Sequence, residues 1–309
     1  MRALVVSNMR PSRERPVRGS FVRDQVRALQ RRGDLEVELF EFAPAGPGAY
    51  ASAARELRRR YGHGGRFDVV HAHFGLTAWP AFAAPARARA VTLHGTDLAH
   101  PRSRAITLAA LPFLELVATV SEPLAGALPR WAVRRGRSAV LPIGVDADRF
   151  KPIPRPDARA ALGLDPAGPY LLFPADPRRP EKRHDRALAL ASGVTLLALG
   201  EVEPERVPLW VNAANAVLVP SEREGFGLAV LEALACDVPV LATPVGIAPA
   251  ALRGVVGAYC GPFDLEAWGR ALAPHLAAAD PRIEGRSRAA EYSTDRMAAR
   301  VAAVWRSLV

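Results

Sequence analysis

The chain has 309 residues, half of them hydrophobic, which is enough for two ordinary domains with real cores. Aromatics are only 7%, so those cores are expected to rest on Ala, Leu and Val. A net charge of +10 favours anionic partners, from nucleotide-bearing small molecules to anionic lipid surfaces and nucleic acids, although a plain arginine bias explains it equally well. No stretch approaches the roughly 18 uninterrupted apolar residues of a membrane span. Met1–Val6 turns polar at Ser7 and Asn8, too soon for a signal peptide, and reads as a short buried strand. Cys236 and Cys260 fit neither a disulfide framework nor a metal-ligand spacing, so reduced core thiols and a cytoplasmic protein are expected.

In chain order, strands are predicted over Ala3–Val6, Val37–Phe42, Val69–Ala72, Ala90–Leu93, Leu116–Val120 and Ala139–Leu141, with helices over Val22–Arg32 and Ala51–Tyr61 between the early ones. Arg23, Arg27 and Arg31 would share one helix face, which is usually solvated; contact with a membrane is the other reading. Regular patterning lapses in the Pro-rich stretch Lys151–Pro156, taken as the domain break. Further strands are predicted over Tyr170–Phe173, Thr195–Leu199, Ala216–Val219 and Val238–Ala242, and helices over Leu228–Ala235 and Leu265–Ala279. Ser293–Leu308 forms an amphipathic final helix, with Met297, Val301, Val304 and Leu308 on one spacing. Alternating strands and helices predict an α/β chain of two Rossmann-like, doubly wound parallel sheets, with ligands at their carboxyl edges. The expected division is 1–153, 154–290, and a final helix 291–309 packing back on the first domain.

The most informative segment runs Val219-Pro220-Ser221-Glu222-Arg223-Glu224-Gly225-Phe226-Gly227 and continues Leu228-Ala229-Val230-Leu231-Glu232-Ala233. A strand, a glycine-bearing turn and a helix start follow one another, which aims backbone N–H groups and a positive helix end at one spot, a natural seat for a diphosphate. Gly225 and Gly227 let the backbone approach a ligand closely. Glu224 and Glu232 lie about 12 Å apart along the axis at ~1.5 Å per residue. Hydrolytic carboxylate pairs stand roughly 5–9.5 Å apart, so these two are poorly placed for that role. Better than a hydrolytic pair they fit as grips on two hydroxyl-bearing parts of one long ligand; taken alone, two glutamates eight apart more often belong to a helix surface and a solvated loop.

From Asn212 to Gly246 the sequence resembles the donor-binding core of glycosyltransferase family 4, a retaining family with the GT-B fold. The resemblance rests on Glu224 and Glu232 in a Pro-Ser-x-x-Glu-Gly-Phe-Gly setting and continues through Glu232–Thr243. It implies that Glu224 and the amides of Gly225, Phe226, Gly227 and Leu228 hold the donor sugar, and that Glu232 holds the ribose hydroxyls. It also places the phosphate-binding cations in Phe173–Arg183: Lys182, with Arg178 or Arg179, although the family's Gly-Arg reads Pro174-Ala175 here. Arg18-Gly19-Ser20-Phe21 resembles the family's glycine loop, giving Gly19 to the donor and Arg18 to the acceptor side. Two strand ends carry histidines, Val69-Val70-His71-Ala72-His73 and Val91-Thr92-Leu93-His94. The resemblance assigns His94 to the reacting sugar, and His73 is placed on the acceptor side.

The resemblance covers nearly the whole chain with one gap: a helix and strand expected after Thr195–Gly200 are missing, so the second domain is shortened where the family encloses the nucleobase. It implies an enzyme that moves a sugar from a UDP- or GDP-sugar to a glycan or lipid-linked acceptor of the cell envelope, with retention. His94, Glu224 and Lys182 would be catalytic, with no metal and no cofactor. The expected location is the cytoplasm, extending to peripheral contact with the inner face of the membrane. A nucleotide-sugar epimerase and a non-catalytic nucleotide-sugar or nucleic-acid binder are the competing readings. Basic stretches without interleaved aromatics argue against single-stranded nucleic acid.

Overall fold

A computed structural model describes every residue except 14, 134–136 and 201. The chain divides into two compact units: Met1–Ser12, Arg18–Gly144 and Thr294–Val309 form the first, and Arg13–Val17 with Val145–Ser293 the second.

The first unit is built on six strands: β1 Arg2–Ser7, β2 Glu36–Glu41, β3 Phe67–His73, β4 Ala86–Leu93, β5 Leu116–Thr119 and β6 Arg137–Val140. All pair in parallel, in the order β2-β1-β3-β4-β5-β6. Strand side chains alternate between faces, and both faces are covered. Leu4, Val6, Val70 and Val91 enter one core with Leu57 and Leu111. Ala3, Val5, Val69 and Ala90 enter the other with Val26 and Leu29, and with Met297, Val301 and Trp305 of the final helix, Thr294–Arg306. The final helix therefore completes the first unit from the far end of the chain.

The second unit carries β7 Tyr170–Phe173, β8 Thr195–Ala198, β9 Ala216–Val219, β10 Val240–Ala242 and β11 Tyr259–Cys260, in the parallel order β11-β10-β9-β7-β8. It has one strand fewer than the first sheet and stops at β8. The chain leaves β8 for the helix Val207–Ala213 and enters β9, so among the described residues no strand lies beyond that edge.

Two sequence expectations change. The Pro-rich stretch read as the break contains a helix start: Arg155–Leu162 is helical with Pro156 in its first turn, where a missing N–H costs nothing. That helix is anchored by two buried arginines. Arg155 donates from Nε and Nη2 to the Ala214 carbonyl, and Arg159 from Nε to that of Ala213 and from Nη2 to Asn215 Oδ1. The units instead exchange at Gly144 and Val145. The two-residue strand β11 was not predicted; it is too short to show a period.

Candidate active site

In sheets of this kind ligands bind beyond the carboxyl ends of the strands, where the order reverses. In the second unit that point lies between β7 and β9. The loop leaving β7 delivers Lys182, and the loop leaving β9 delivers Glu224. They meet: Lys182 Nζ lies 2.6 and 2.7 Å from the two Glu224 carboxylate oxygens, and Ser221 Oγ donates to Glu224 Oε1 at 2.8 Å. Both side chains of the pair are largely enclosed, 14% and 10% exposed, so the charges are poorly screened.

The turn is fixed from beneath. Thr243 Oγ1 donates to the Ser221 carbonyl at 2.5 Å, and Glu222 N–H donates to the Glu181 carbonyl, tying the β9 loop to the β7 loop. Gly227, at φ +93°, caps the helix Leu228–Ala235, and its carbonyl accepts from Val230 N–H at 3.1 Å. Phe226 is buried, and its carbonyl accepts from Ile247 N–H at 2.6 Å. Gly246 passes close behind with φ +59°; a Cβ there would come within 2.3 Å of the Phe226 carbonyl oxygen and 2.9 Å of Glu224 Cβ. Gly225 precedes these residues in the turn, and Leu228, partly buried, opens the helix. Glu232 lies partly buried about one turn along it.

The two arginines of the β7 loop are occupied elsewhere. Arg178 holds Asp176 through Nε and Nη2 at 2.9 and 3.0 Å, keeping that carboxyl below its usual range, and Arg179 holds Glu181 at 2.7 Å. Of the three predicted cations, Lys182 is the one that reaches Glu224.

The first unit gathers its candidates at the β1, β3 and β4 ends. Gly19 caps the helix Ser20–Arg31 at φ +70°, with its Cα so near Met9 that a Cβ would lie 2.4 Å from the Met9 carbonyl oxygen. The preceding Arg18 carbonyl accepts from Arg23 Nη2. His73 ends β3. It is 1% exposed, and both ring nitrogens are engaged, Nε2 with Gln25 Nε2 at 3.1 Å and Nδ1 with His94 Nε2 at 3.0 Å. His73 thus stands between Gln25 and His94 in a buried chain of side-chain contacts. His71 likewise accepts from Trp305 Nε1 at 2.8 Å and bonds Thr92 Oγ1 at 2.7 Å. Burial pushes the His73 imidazole down to about 3, and those of His71 and His94 well below the usual value, so all three are neutral.

Sequence reasoning missed Gln25, Asp97, Ser221, Thr243 and Gly246. Asp97, buried in the His-Gly-Thr-Asp run, accepts from Gly75 N–H and His94 N–H at 2.8 and 2.5 Å, pinning the β3 and β4 ends together. A carboxylate three residues beyond a strand-ending histidine was the available signal. Gln25 carried none, since a polar residue inside a helix reads as surface.

Two family descriptions match the chain: "Glycosyltransferase Family 4" over residues 17–149 and "Glycosyl transferases group 1" over residues 171–277. The D-inositol 3-phosphate glycosyltransferase of Mycobacterium avium is 31% identical over 291 residues, covering 78% of this chain and 68% of that protein. The chain belongs to the family 4, group 1 glycosyltransferases. The enzyme of the same name from Xylanimonas cellulosilytica is 29% identical, with 83% and 82% coverage. This family 4 chain spans about two thirds of the length of the first two relatives, 68% and 66%. Sucrose-phosphate synthase from Thermosynechococcus elongatus (TM-score 0.76, 19% identity, 100% of this chain and 99% of that one) shares its fold. So does Anabaena HepE in complex with UDP and glucose (TM-score 0.71, 17% identity, 99% and 100%). The fold is GT-B, each unit being a parallel-sheet α/β domain, with six strands in one and five in the other. Among the described residues no helix is long and apolar enough to cross a membrane.

Proposed function

We propose that this glycosyltransferase moves a sugar from a UDP- or GDP-sugar to a hydroxyl acceptor with retention of configuration and without a metal. The observation that carries the reading is the meeting of Lys182 and Glu224 over a glycine turn at the switch point of the second sheet. A compact cation, turn amides and a helix start are the groups that neutralise a departing diphosphate. Glu224, paired with Lys182 before a ligand arrives, would exchange that partner for sugar hydroxyls as Lys182 turns to phosphate. Glu232 would take the ribose hydroxyls, and Arg178 or Arg179 would move from its neighbouring carboxylate to the diphosphate. In the first unit, His94 is assigned to an oxygen of the reacting sugar, and Gly19 and Arg18 to the glycine loop beside the ligand.

The acceptor hydroxyl would attack from the face the diphosphate leaves, forming the new C1–O bond as the old one breaks, with a donor phosphate oxygen taking the hydroxyl proton. With Glu224 holding sugar hydroxyls, the scheme uses no covalent enzyme carboxylate.

We place the acceptor among cell-envelope glycans or glycolipids, with the enzyme in the cytoplasm or at the inner face of the membrane. The relatives' printed name supports a second acceptor class, a phosphorylated cyclitol. A thermal-shift screen against UDP-, GDP- and ADP-sugars, followed by NMR of the product's anomeric centre, tests the reading. Stabilisation by one donor and a retained anomer are expected. An inverted product would overturn the mechanism, and indifference to every nucleotide sugar would overturn the function.

A further inference from the structure

Among the described residues of the first unit, five buried side-chain polar atoms have no hydrogen-bond partner, and Nδ1 of His94 is the one that belongs to a candidate site residue. Its other ring nitrogen ends a chain of three side chains, Gln25 Nε2 to His73 Nε2 at 3.1 Å and His73 Nδ1 to His94 Nε2 at 3.0 Å. The direction of that chain follows from its first member. An amide nitrogen only donates, so His73 Nε2 must accept. A neutral imidazole that accepts at Nε2 carries its proton on Nδ1, so His73 donates onward to His94 Nε2. His94 must then carry its own proton on Nδ1, which makes the unpartnered atom an N–H donor. Both rings are neutral because burial disfavours the imidazolium, so neither can donate from both nitrogens.

We propose that Gln25 and His73 are positioning residues that lock His94 as its Nδ1–H tautomer and so present a donor to an oxygen of the bound ligand, a sugar hydroxyl or a phosphate oxygen. This rests on the reading of His94 as a ligand contact. The ring is held in place as well as in tautomer. His94 N–H is fixed by Asp97 Oδ2 at 2.5 Å, and the rings of Phe21 and Phe74 lie 5.0 and 4.5 Å from the imidazole. Phe74 holds its ring there from φ +73°, ψ 139°, a conformation that residues with side chains rarely adopt. Strain of this kind persists where surrounding contacts over-determine it, and it concentrates at ligand clamps. A buried donor without an acceptor is costly to keep, and a ligand oxygen reaching it would remove that cost. Family members that lack an amide at position 25 would need another device to set this tautomer.

The test is long-range 1H–15N correlation on the full chain labelled at histidine, without ligand. The expected wild-type spectrum has His94 protonated on Nδ1 and bare on Nε2; the reverse tautomer would overturn the proposal whichever variants fold. Gln25→Met keeps the length of the side chain and removes its donor. It should convert His94 to a mixture of tautomers and lower kcat by about tenfold with donor KM little changed, the pattern of a group used in the transition state. An unchanged His94 tautomer in Gln25→Met would remove Gln25 from the role. His94→Ala separates the two readings: full transfer by that variant, beside a locked Nδ1–H in the wild type, would overturn the ligand half of the proposal and the proposed role of His94 together.

Discussion

Lys182 and Glu224 neutralise each other across two loops 42 residues apart in sequence, the ammonium bridging both carboxylate oxygens at 2.6 and 2.7 Å. Removing one partner leaves the other charge largely enclosed, and Ser221 Oγ stays beside the carboxylate. Lys182→Met should lower unfolding stability by about 1–3 kcal/mol, and Glu224→Gln by less, since the amide keeps a bond to Ser221. Isothermal titration with UDP or GDP should show a loss of at least about tenfold in affinity for Lys182→Met, the worth of one charge-assisted contact. Unchanged affinity would falsify the phosphate assignment.

Gly246→Ala tests the support beneath that pair. A Cβ at φ +59° is strained and meets the Phe226 carbonyl, so the variant should lose about 1–3 kcal/mol of stability. It should also weaken nucleotide binding, because the atoms it displaces belong to Phe226 and Glu224. A variant with full affinity and lowered melting temperature would separate the turn from the site.

Glu232→Gln should weaken binding of a nucleoside diphosphate by about tenfold while leaving inorganic pyrophosphate unaffected, as expected if the carboxylate holds ribose hydroxyls. Equal weakening of both ligands would move Glu232 to the phosphates.

The buried histidines predict how stability responds to acid. With folded pKa values depressed, to about 3 for His73, the unfolded chain binds more protons between that value and the usual 6.5. Unfolding free energy is therefore complete above about pH 6.5 and falls as pH drops through the window, by up to about 1.4 kcal/mol per pH unit for each histidine. Asp97, raised by burial, acts in the opposite direction just above 3.8. In denaturant titrations from pH 7 to 4, His73→Gln should flatten the slope by one proton, and an unchanged slope would contradict the burial of a neutral ring.

Trp305→Phe keeps the ring of the final helix and removes the N–H that His71 Nδ1 accepts. The expected cost is about 1–3 kcal/mol in urea unfolding, that of one buried acceptor left unmatched. A near-zero effect would mean that water replaces the indole.

The fold was legible because parallel strands buried on both faces are written as continuous apolar runs; Ala3–Val6, Leu116–Val120, Tyr170–Phe173 and Ala216–Val219 each fall on or within a residue of an observed strand. Edges and joins were harder. Lys151–Pro156 looked like a linker because proline breaks patterning, yet Pro156 starts a helix held by Arg155, whose burial no composition argument suggests. At the candidate site, the turn that carries Glu224 and Gly227 was legible because a turn and a helix start constrain sequence locally, whereas Lys182 stood out through the family resemblance. The contact between Gln25 and His73 was not legible: it joins residues 48 apart in sequence and leaves no local pattern.

The return of Thr294–Arg306 to the first sheet has a consequence for synthesis. Translation emits most of the first unit, up to Gly144, and then Val145–Ser293 of the second, before Met297, Val301 and Trp305 exist to join the core that holds Val5, Val26 and Val69. During that interval the second unit can fold completely at the ribosome while the older one waits with apolar surface open to water, a target for chaperones and proteases. A nascent chain stalled before residue 294 should therefore be cut in its oldest segment first, reversing the usual order in which emerging domains become safe.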